Sequence, residues 1–167
     1  MNVMSNTVLT LDPAGNHGKE GDGTTGWAIF KDGQLVDFGH KSSSDYATAE
    51  EYWDSIISLM ILRVNFDLVV CESYKLFGHK AKQQSGSEMG TPQLIGCIRL
   101  MLHKARIPLV FQDPKDKVRV TDPILVHMGI LEQTEGGRYK ALGRQTIIHE
   151  RDSIRHGVFY HRYGVKK

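Results

Sequence analysis

The chain has 167 residues, 40% of them hydrophobic and 24% charged, a composition that fits one globular domain over residues 1–167 and excludes intrinsic disorder. No apolar run reaches the roughly 18 residues of a membrane span, the N-terminus lacks the basic-then-apolar pattern of an export signal, and Cys71 and Cys97 have neither CxxC nor metal-ligand spacing, so a cytoplasmic protein without a disulfide framework or zinc module is expected. The net charge of +2 is unevenly spread, at −7 over residues 1–74, +6 over 75–119 and +3 over 120–167, which points either to an anionic partner for the second half or to an ordinary solvated surface.

Residues 7–11 form a β-favouring run that ends at Asp12, after which Pro13, Gly15, Gly18, Gly21 and Gly23 break regular structure. A strand followed by a flexible loop over residues 14–25 is therefore predicted. Residues 26–30 and 34–38 flank Lys31-Asp32-Gly33, and Asp-Gly is a strong hairpin signal because both residues tolerate positive φ. Three antiparallel strands thus open the chain. Trp53, Ile56, Ile57, Met60, Ile61 and Val64 then recur at helical spacing, with Thr48 and Glu51 placed as a capping box. Residues 68–71 are continuously apolar, as in a strand buried on both faces, and end at Glu72.

Residues 73–90 are polar, basic and glycine-containing, and read as a mobile loop or a helix start. Thr91-Pro92 has the pattern of an N-cap followed by first-turn proline. Leu94, Ile95, Ile98, Met101, Leu102 and Ala105 make the apolar stripe of the next helix, and residues 108–111 are a further short strand. A helix between two strands implies a parallel crossover. Residues 113–143 are less legible, with turns at Pro114, Pro123 and Gly136-Gly137 around a short helix at 124–131. Over residues 144–160, Ile147, Ile154 and Val158 keep helical spacing while His149, Asp152 and His156 share a neighbouring face. The order βββαβαβα describes one α/β domain with a mixed sheet.

In such sheets ligands gather beyond the carboxyl ends of the strands. If the first and fourth strands are neighbours, Asp12 and Glu72 converge there, and two close carboxylates call for a proton or a hard cation such as magnesium. His149 and Asp152 complete the cluster from the last helix. Each residue also has a plainer reading: Asp12 as a turn starter, Glu72 as a solvated strand end, His149 and Asp152 as an exposed helix face. Their joint occurrence at compatible positions favours the functional one.

Leu9-Thr10-Leu11-Asp12-Pro13, then Thr25-Gly26-Trp27-Ala28-Ile29, then Val69-Val70-Cys71-Glu72, and finally the run from His149 to His156 together resemble a Holliday junction resolvase of the RuvC type. Lys80-Ala81-Lys82-Gln83-Gln84-Ser85-Gly86 after the glutamate is similar to a segment of the bacteriophage-encoded members. The resemblance implies an RNase H-like fold with a mixed five-stranded sheet flanked by helices, a homodimer, and paired nicking of branched DNA that leaves 5′-phosphates and 3′-hydroxyls. It also implies that Asp12, Glu72, His149 and Asp152 are catalytic metal ligands. Two Mg2+ ions, or Mn2+, would supply the hydrolytic chemistry, with Asp12 bridging, Glu72 on one ion and Asp152 and His149 on the other. The imidazole favours manganese. Glu150 is a weaker candidate because its helical position points about 100° away from His149.

Phosphate contacts are expected from Lys75, Lys80, Lys82, Lys115, Lys117 and Arg119, with Gln83 and Gln84 as neutral donors. The resemblance places an aromatic wedge near Tyr74 and Phe77, either of which could stack on an unpaired base or simply cap the core. The loop at 14–25 is longer and richer in glycine than in bacterial relatives, and residues 113–143 match nothing clearly, so flaps and forks stand beside four-way junctions as substrates. Two rivals are an actin-like or sugar-kinase ATPase, disfavoured because one copy of the fold fits in the chain and no second phosphate-binding loop is present, and a non-catalytic junction-binding module. Neither a nucleotide cofactor nor a membrane is expected. The apolar face of the helix after Thr91 is the candidate dimer interface.

Overall fold

The computed structural model describes residues 6–62, 65–76 and 88–164. β1 (Thr7–Asp12), β2 (Thr24–Lys31) and β3 (Gln34–Ser42) form an antiparallel meander. The β2–β3 turn carries Asp32 at φ 52° and Gly33 at φ 81°, the paired positive angles of the predicted Asp-Gly hairpin. After α1 (Ala49–Leu62), β4 (Leu68–Glu72) pairs parallel with β1, and after α2 (Gly90–Ala105), β5 (Leu109–Gln112) pairs parallel with β4. The sheet order is β3-β2-β1-β4-β5. α3 (Asp122–His127) and a small sheet of β6 (Glu132–Gln133), β7 (Tyr139–Ala141) and β8 (Arg144–Gln145) precede α4 (Ile148–Tyr163).

Side chains alternate across a strand, and here the alternation decides where the chemistry lies. Leu9, Leu11, Val69 and Cys71 face α1 and α2, where they are buried with Tyr52, Ile56, Leu94, Ile98 and Leu102. Val8 and Val70 face the other way, into a second core with Phe30, Ile154 and Val158. Thr10 shares that second face and donates from Oγ1 to the Ser153 carbonyl of α4 at 2.7 Å. Two residues further on, Asp12 and Glu72 must also turn toward α4.

Several expectations are corrected. The short helix expected at 124–131 runs from Asp122 to His127, and the β6–β8 sheet was not foreseen; its strands are two or three residues long, too short to show a period. The last helix begins at Ile148, and Arg144 belongs to β8. Thr91 is not an N-cap: α2 starts at Gly90 after Met89 at φ 52°, and the Thr91 hydroxyl instead accepts the Gly15 N–H at 3.0 Å. The apolar face of α2 is not a free dimer surface, because Leu94, Ile98 and Leu102 are buried within the same chain. Thr48 does cap α1, accepting the Glu51 N–H at 3.1 Å, while Glu51 reaches the Ala47 N–H rather than that of Thr48. No described helix is long and apolar enough to cross a membrane.

The loop after Asp12 is fastened from α1. Tyr52 is fully buried, its hydroxyl donates to the Ala14 carbonyl at 2.9 Å and lies 2.7 Å from Thr25 Oγ1, and Trp53 Nε1 donates to the Gly15 carbonyl at 2.9 Å. Burial pushes the Tyr52 phenol up to about 12. A group whose ionisation is suppressed by folding contributes stability that is complete below its unfolded value, near 10, and is lost as pH rises through the folded value. The unfolding free energy from urea titration should therefore fall by on the order of 2 kcal/mol between pH 10 and 12, and Tyr52→Phe, although weaker at pH 7, should lack that component of the fall.

Candidate metal centre

Leu11 of β1 stands beside Cys71 of β4 in the parallel ladder, so Asp12 and Glu72 leave the two strands side by side. The N-terminal turn of α4 comes down on them because Gly26 of β2 has no side chain: a Cβ there would lie 2.0 Å from the His149 carbonyl oxygen. His149 Nδ1 lies 3.1 Å from Asp12 Oδ2. One turn later, Asp152 points to the same place.

At the centre of the three carboxylates is Lys117, from the single 3-10 turn Lys117–Arg119 that follows β5. Its Nζ lies 2.8 Å from Glu72 Oε2, 2.9 Å from Asp152 Oδ2 and 3.3 Å from Asp12 Oδ1. Burial works against the ammonium, but the Asp12 charge and the hydrogen bonds to Glu72 and Asp152 outweigh it and hold Lys117 above the ordinary lysine range. The hydrogen bond to Asp12 likewise raises His149 against a smaller opposing effect of burial, with the charges of Asp12 and Asp152 adding to it.

Further groups steady the cluster from behind. Arg155 Nη1 donates to Asp152 Oδ1 at 2.7 Å, and Asp122 of α3 approaches both Arg155 Nη2 at 2.7 Å and Arg151 Nε at 3.2 Å. His156, fully buried, lies 2.7 Å from Glu72 Oε2 and 2.6 Å from Gln112 Oε1. Cys71, beneath the site, is pushed up by burial and by the neighbouring charges of Glu72 and Asp12, so its thiol is no nucleophile.

The four residues singled out in the sequence thus meet in one place: His149 touches Asp12 directly, and Lys117 joins Asp12, Glu72 and Asp152. Lys117 joins the cluster although the sequence places it only among the basic residues. The expectation for it is a phosphate contact; in the structure its side chain is 18% exposed and pairs with the carboxylates. Lys75 pairs with Asp113, Tyr74 is half-buried just past β4, and Lys115 and Arg119 are exposed on either side of Lys117. Phe77, Lys80, Lys82, Gln83 and Gln84 lie outside the described residues. Glu150 is turned away, as the helical angle predicts; it is buried, with Oε1 2.8 Å from His40 Nδ1 and Oε2 accepting the Ile147 N–H at 2.8 Å.

Gln112 and Arg155 carry no signal of their own in the sequence, and His156 stands on the polar face of the last helix without being a candidate ligand there. Gln112 was within reach, since it ends β5 opposite Glu72 in the ladder and the strand-end argument applies to it equally. His156 sits seven residues after His149 on the face already noticed.

Three carboxylates that converge on the Lys117 ammonium are the kind of oxygen donor a hard divalent cation takes, and the His149 imidazole flanks them at Asp12. Among the described residues, Asp12, Glu72 and His156 present ligand-type atoms within 4.8 Å of one another.

No protein-family model and no curated protein matches the chain. Solved structures do. The chain is similar to Thermus thermophilus RuvC in complex with a Holliday junction substrate, at 15% identity and a TM-score of 0.64 over 97% of this chain and 98% of that one. It is also similar to a second Thermus thermophilus RuvC structure, at 16% identity and a TM-score of 0.62 over 95% and 96% of the two chains. The fold is therefore RNase H-like as in RuvC, an α/β arrangement with a mixed five-stranded sheet flanked by helices.

Proposed function

We propose that the chain is a metal-dependent, structure-selective endonuclease that resolves Holliday junctions, and cuts related branches such as flaps and forks, as in the bacteriophage-encoded resolvases its sequence resembles. The observation that carries this reading is the convergence of Asp12, Glu72, Asp152 and His149 at the carboxyl ends of two parallel strands, on the RNase H-like fold. One of the structures similar to this chain holds a Holliday junction substrate.

Asp12, Glu72, Asp152 and His149 would hold the cations. Mg2+ or Mn2+ there, as a pair, would supply an activated water, a neutralised phosphate and a stabilised 3′ leaving oxygen. The protein's own work is positioning. β1 and β4 fix Asp12 and Glu72 by their register, α4 brings His149 and Asp152 within one helical turn of each other, and Lys117 offsets the mutual repulsion of the carboxylates. The DNA contacts we assign are Lys115 and Arg119, exposed beside the site, Tyr74 and Lys75 beyond Glu72, and Phe77, Lys80, Lys82, Gln83 and Gln84, which follow in the chain. The pseudo-two-fold symmetry of a four-way junction calls for a homodimer with one such site in each copy.

The test is cleavage of end-labelled four-way junction, flap, fork and linear duplex in Mg2+, in Mn2+ and in EDTA, resolved on denaturing gels. Paired nicks near the crossover, ligatable through 5′-phosphates, absent in EDTA and absent on linear duplex, are expected. Binding without cleavage in either metal would replace the nuclease by a junction-binding module.

A further inference from the structure

His156 offers a nitrogen to the same cluster as Asp12 and Glu72, and by distance alone it qualifies as a metal ligand. Its hydrogen bonds argue otherwise. The ring is fully buried between Glu72 and Gln112, which stand side by side in the β4–β5 ladder. Nε2 lies 2.7 Å from a Glu72 oxygen and Nδ1 2.6 Å from the Gln112 amide, itself only 6% exposed. An ionised carboxylate can only accept, so Nε2 must carry a hydrogen. Gln112 can satisfy Nδ1 in either orientation, accepting through its oxygen or donating through its nitrogen after a half-turn of the amide. In both cases the nitrogen that faces the cluster is a donor, with no lone pair for a cation.

We propose that His156 is a positioning residue: with Gln112 fixing its ring, it donates to Glu72 Oε2 and aims that carboxylate's other oxygen at the cation. Lys117 reaches the same Oε2 at 2.8 Å, so both donors hold one oxygen and leave Oε1 as the binding atom. Carboxylates and imidazoles that ligate metals are commonly oriented by such outer partners, whose loss weakens binding by about 10–100-fold. His156 differs in this from His149, whose side chain is 39% exposed and approaches Asp12 from the open side.

This inference rests on the metal-site reading, and the test separates the two. Mn2+ affinity is measured on the DNA-free protein by the loss of the free-ion EPR signal, for the wild type, Asp12→Asn, Glu72→Gln, His156→Leu, His156→Gln and Gln112→Leu, each checked for folding by circular dichroism. His156→Leu should bind about 10–100-fold more weakly, Gln112→Leu several-fold more weakly, and His156→Gln, which keeps an N–H donor near the Nε2 position, should recover most of the affinity. If His156→Leu fails to fold, Gln112→Leu and His156→Gln carry the test. Wild-type affinity in both His156→Leu and Gln112→Leu, while Asp12→Asn and Glu72→Gln lose binding, would overturn the positioning role and leave the metal site standing. So would a directly coordinated nitrogen in the electron spin-echo spectrum of Mn2+ bound to His149→Ala, since it would make His156 a ligand. Equal binding by wild type, Asp12→Asn and Glu72→Gln would overturn both readings.

Discussion

Asp12→Asn is expected to lower junction cleavage by more than the roughly 100-fold that marks the upper end for outer partners of a metal site, while leaving junction binding at least as tight as before. The substitution is nearly isosteric and removes one negative charge from a surface that must receive phosphates, so electrostatics favour the DNA complex. The fold should hold. Lys117 keeps Glu72 at 2.8 Å and Asp152 at 2.9 Å, and relief of carboxylate repulsion offsets the lost attraction to Lys117 and His149. A change of about 1 kcal/mol corresponds to about 2–4 °C in a domain of this size, and the melting temperature measured in EDTA should stay within that range. Gel assays, fluorescence anisotropy with labelled junction, and a thermal melt read the three quantities separately. Cleavage at the wild-type rate would remove Asp12 from the metal-binding set, and a collapsed melt would make it a folding residue instead.

The parts of the molecule that were legible in the sequence are those built on a period. The β-favouring runs and Asp-Gly turn of the first three strands, the apolar run before Glu72 and the helical stripe from Leu94 to Leu102 each report their environment locally; that β1 and β4 are neighbours was left as a condition, and the parallel ladder supplies it. Asp12 and Glu72 were visible because a strand end is marked by the first charged residue after an apolar run. Lys117 was not visible as a member of the cluster. It lies 105 residues from Asp12, in a turn among lysines and prolines that looks like any basic loop, and only the path of the chain out of β5 carries it inward. Gln112 and His156 are legible only as a strand-end amide and a member of the polar helix face; their role at the site comes from facing each other and Glu72. The β6–β8 sheet is held by contacts such as Arg144 over the Phe38 ring at 4.3 Å and Arg151 over the Tyr139 ring at 5.1 Å, long-range pairings that no local window contains.

Gly26→Ala and Gly96→Ala should move stability in opposite directions, because the two glycines meet different surroundings. A Cβ on Gly26 would sit 2.0 Å from the His149 carbonyl oxygen, 2.3 Å from its carbon and 2.9 Å from the Glu150 nitrogen. All three are backbone atoms, so no side-chain rotation relieves the clash, and either β2 or the first turn of α4 must shift. Overpacking of this kind costs about 1–3 kcal/mol, occasionally more, and the upper end is expected here because α4 also closes the second core through Ile154 and Val158. The same shift withdraws His149 and Asp152 from Asp12, so cleavage should fall further than stability alone explains, even at temperatures where the variant is folded. Gly96, by contrast, is an exposed position within α2 with no atom within 4 Å of a Cβ. Alanine there removes the helix penalty of glycine and should stabilise the protein by about 0.5–1 kcal/mol without touching activity. Urea unfolding and junction cleavage on both variants measure this directly. If Gly26→Ala unfolds and cuts like the wild type, the close approach of β2 to α4 does not set the geometry of the acidic cluster; if it loses cleavage while Gly96→Ala gains stability at full activity, the absent side chain at Gly26 is part of how this sheet receives its last helix.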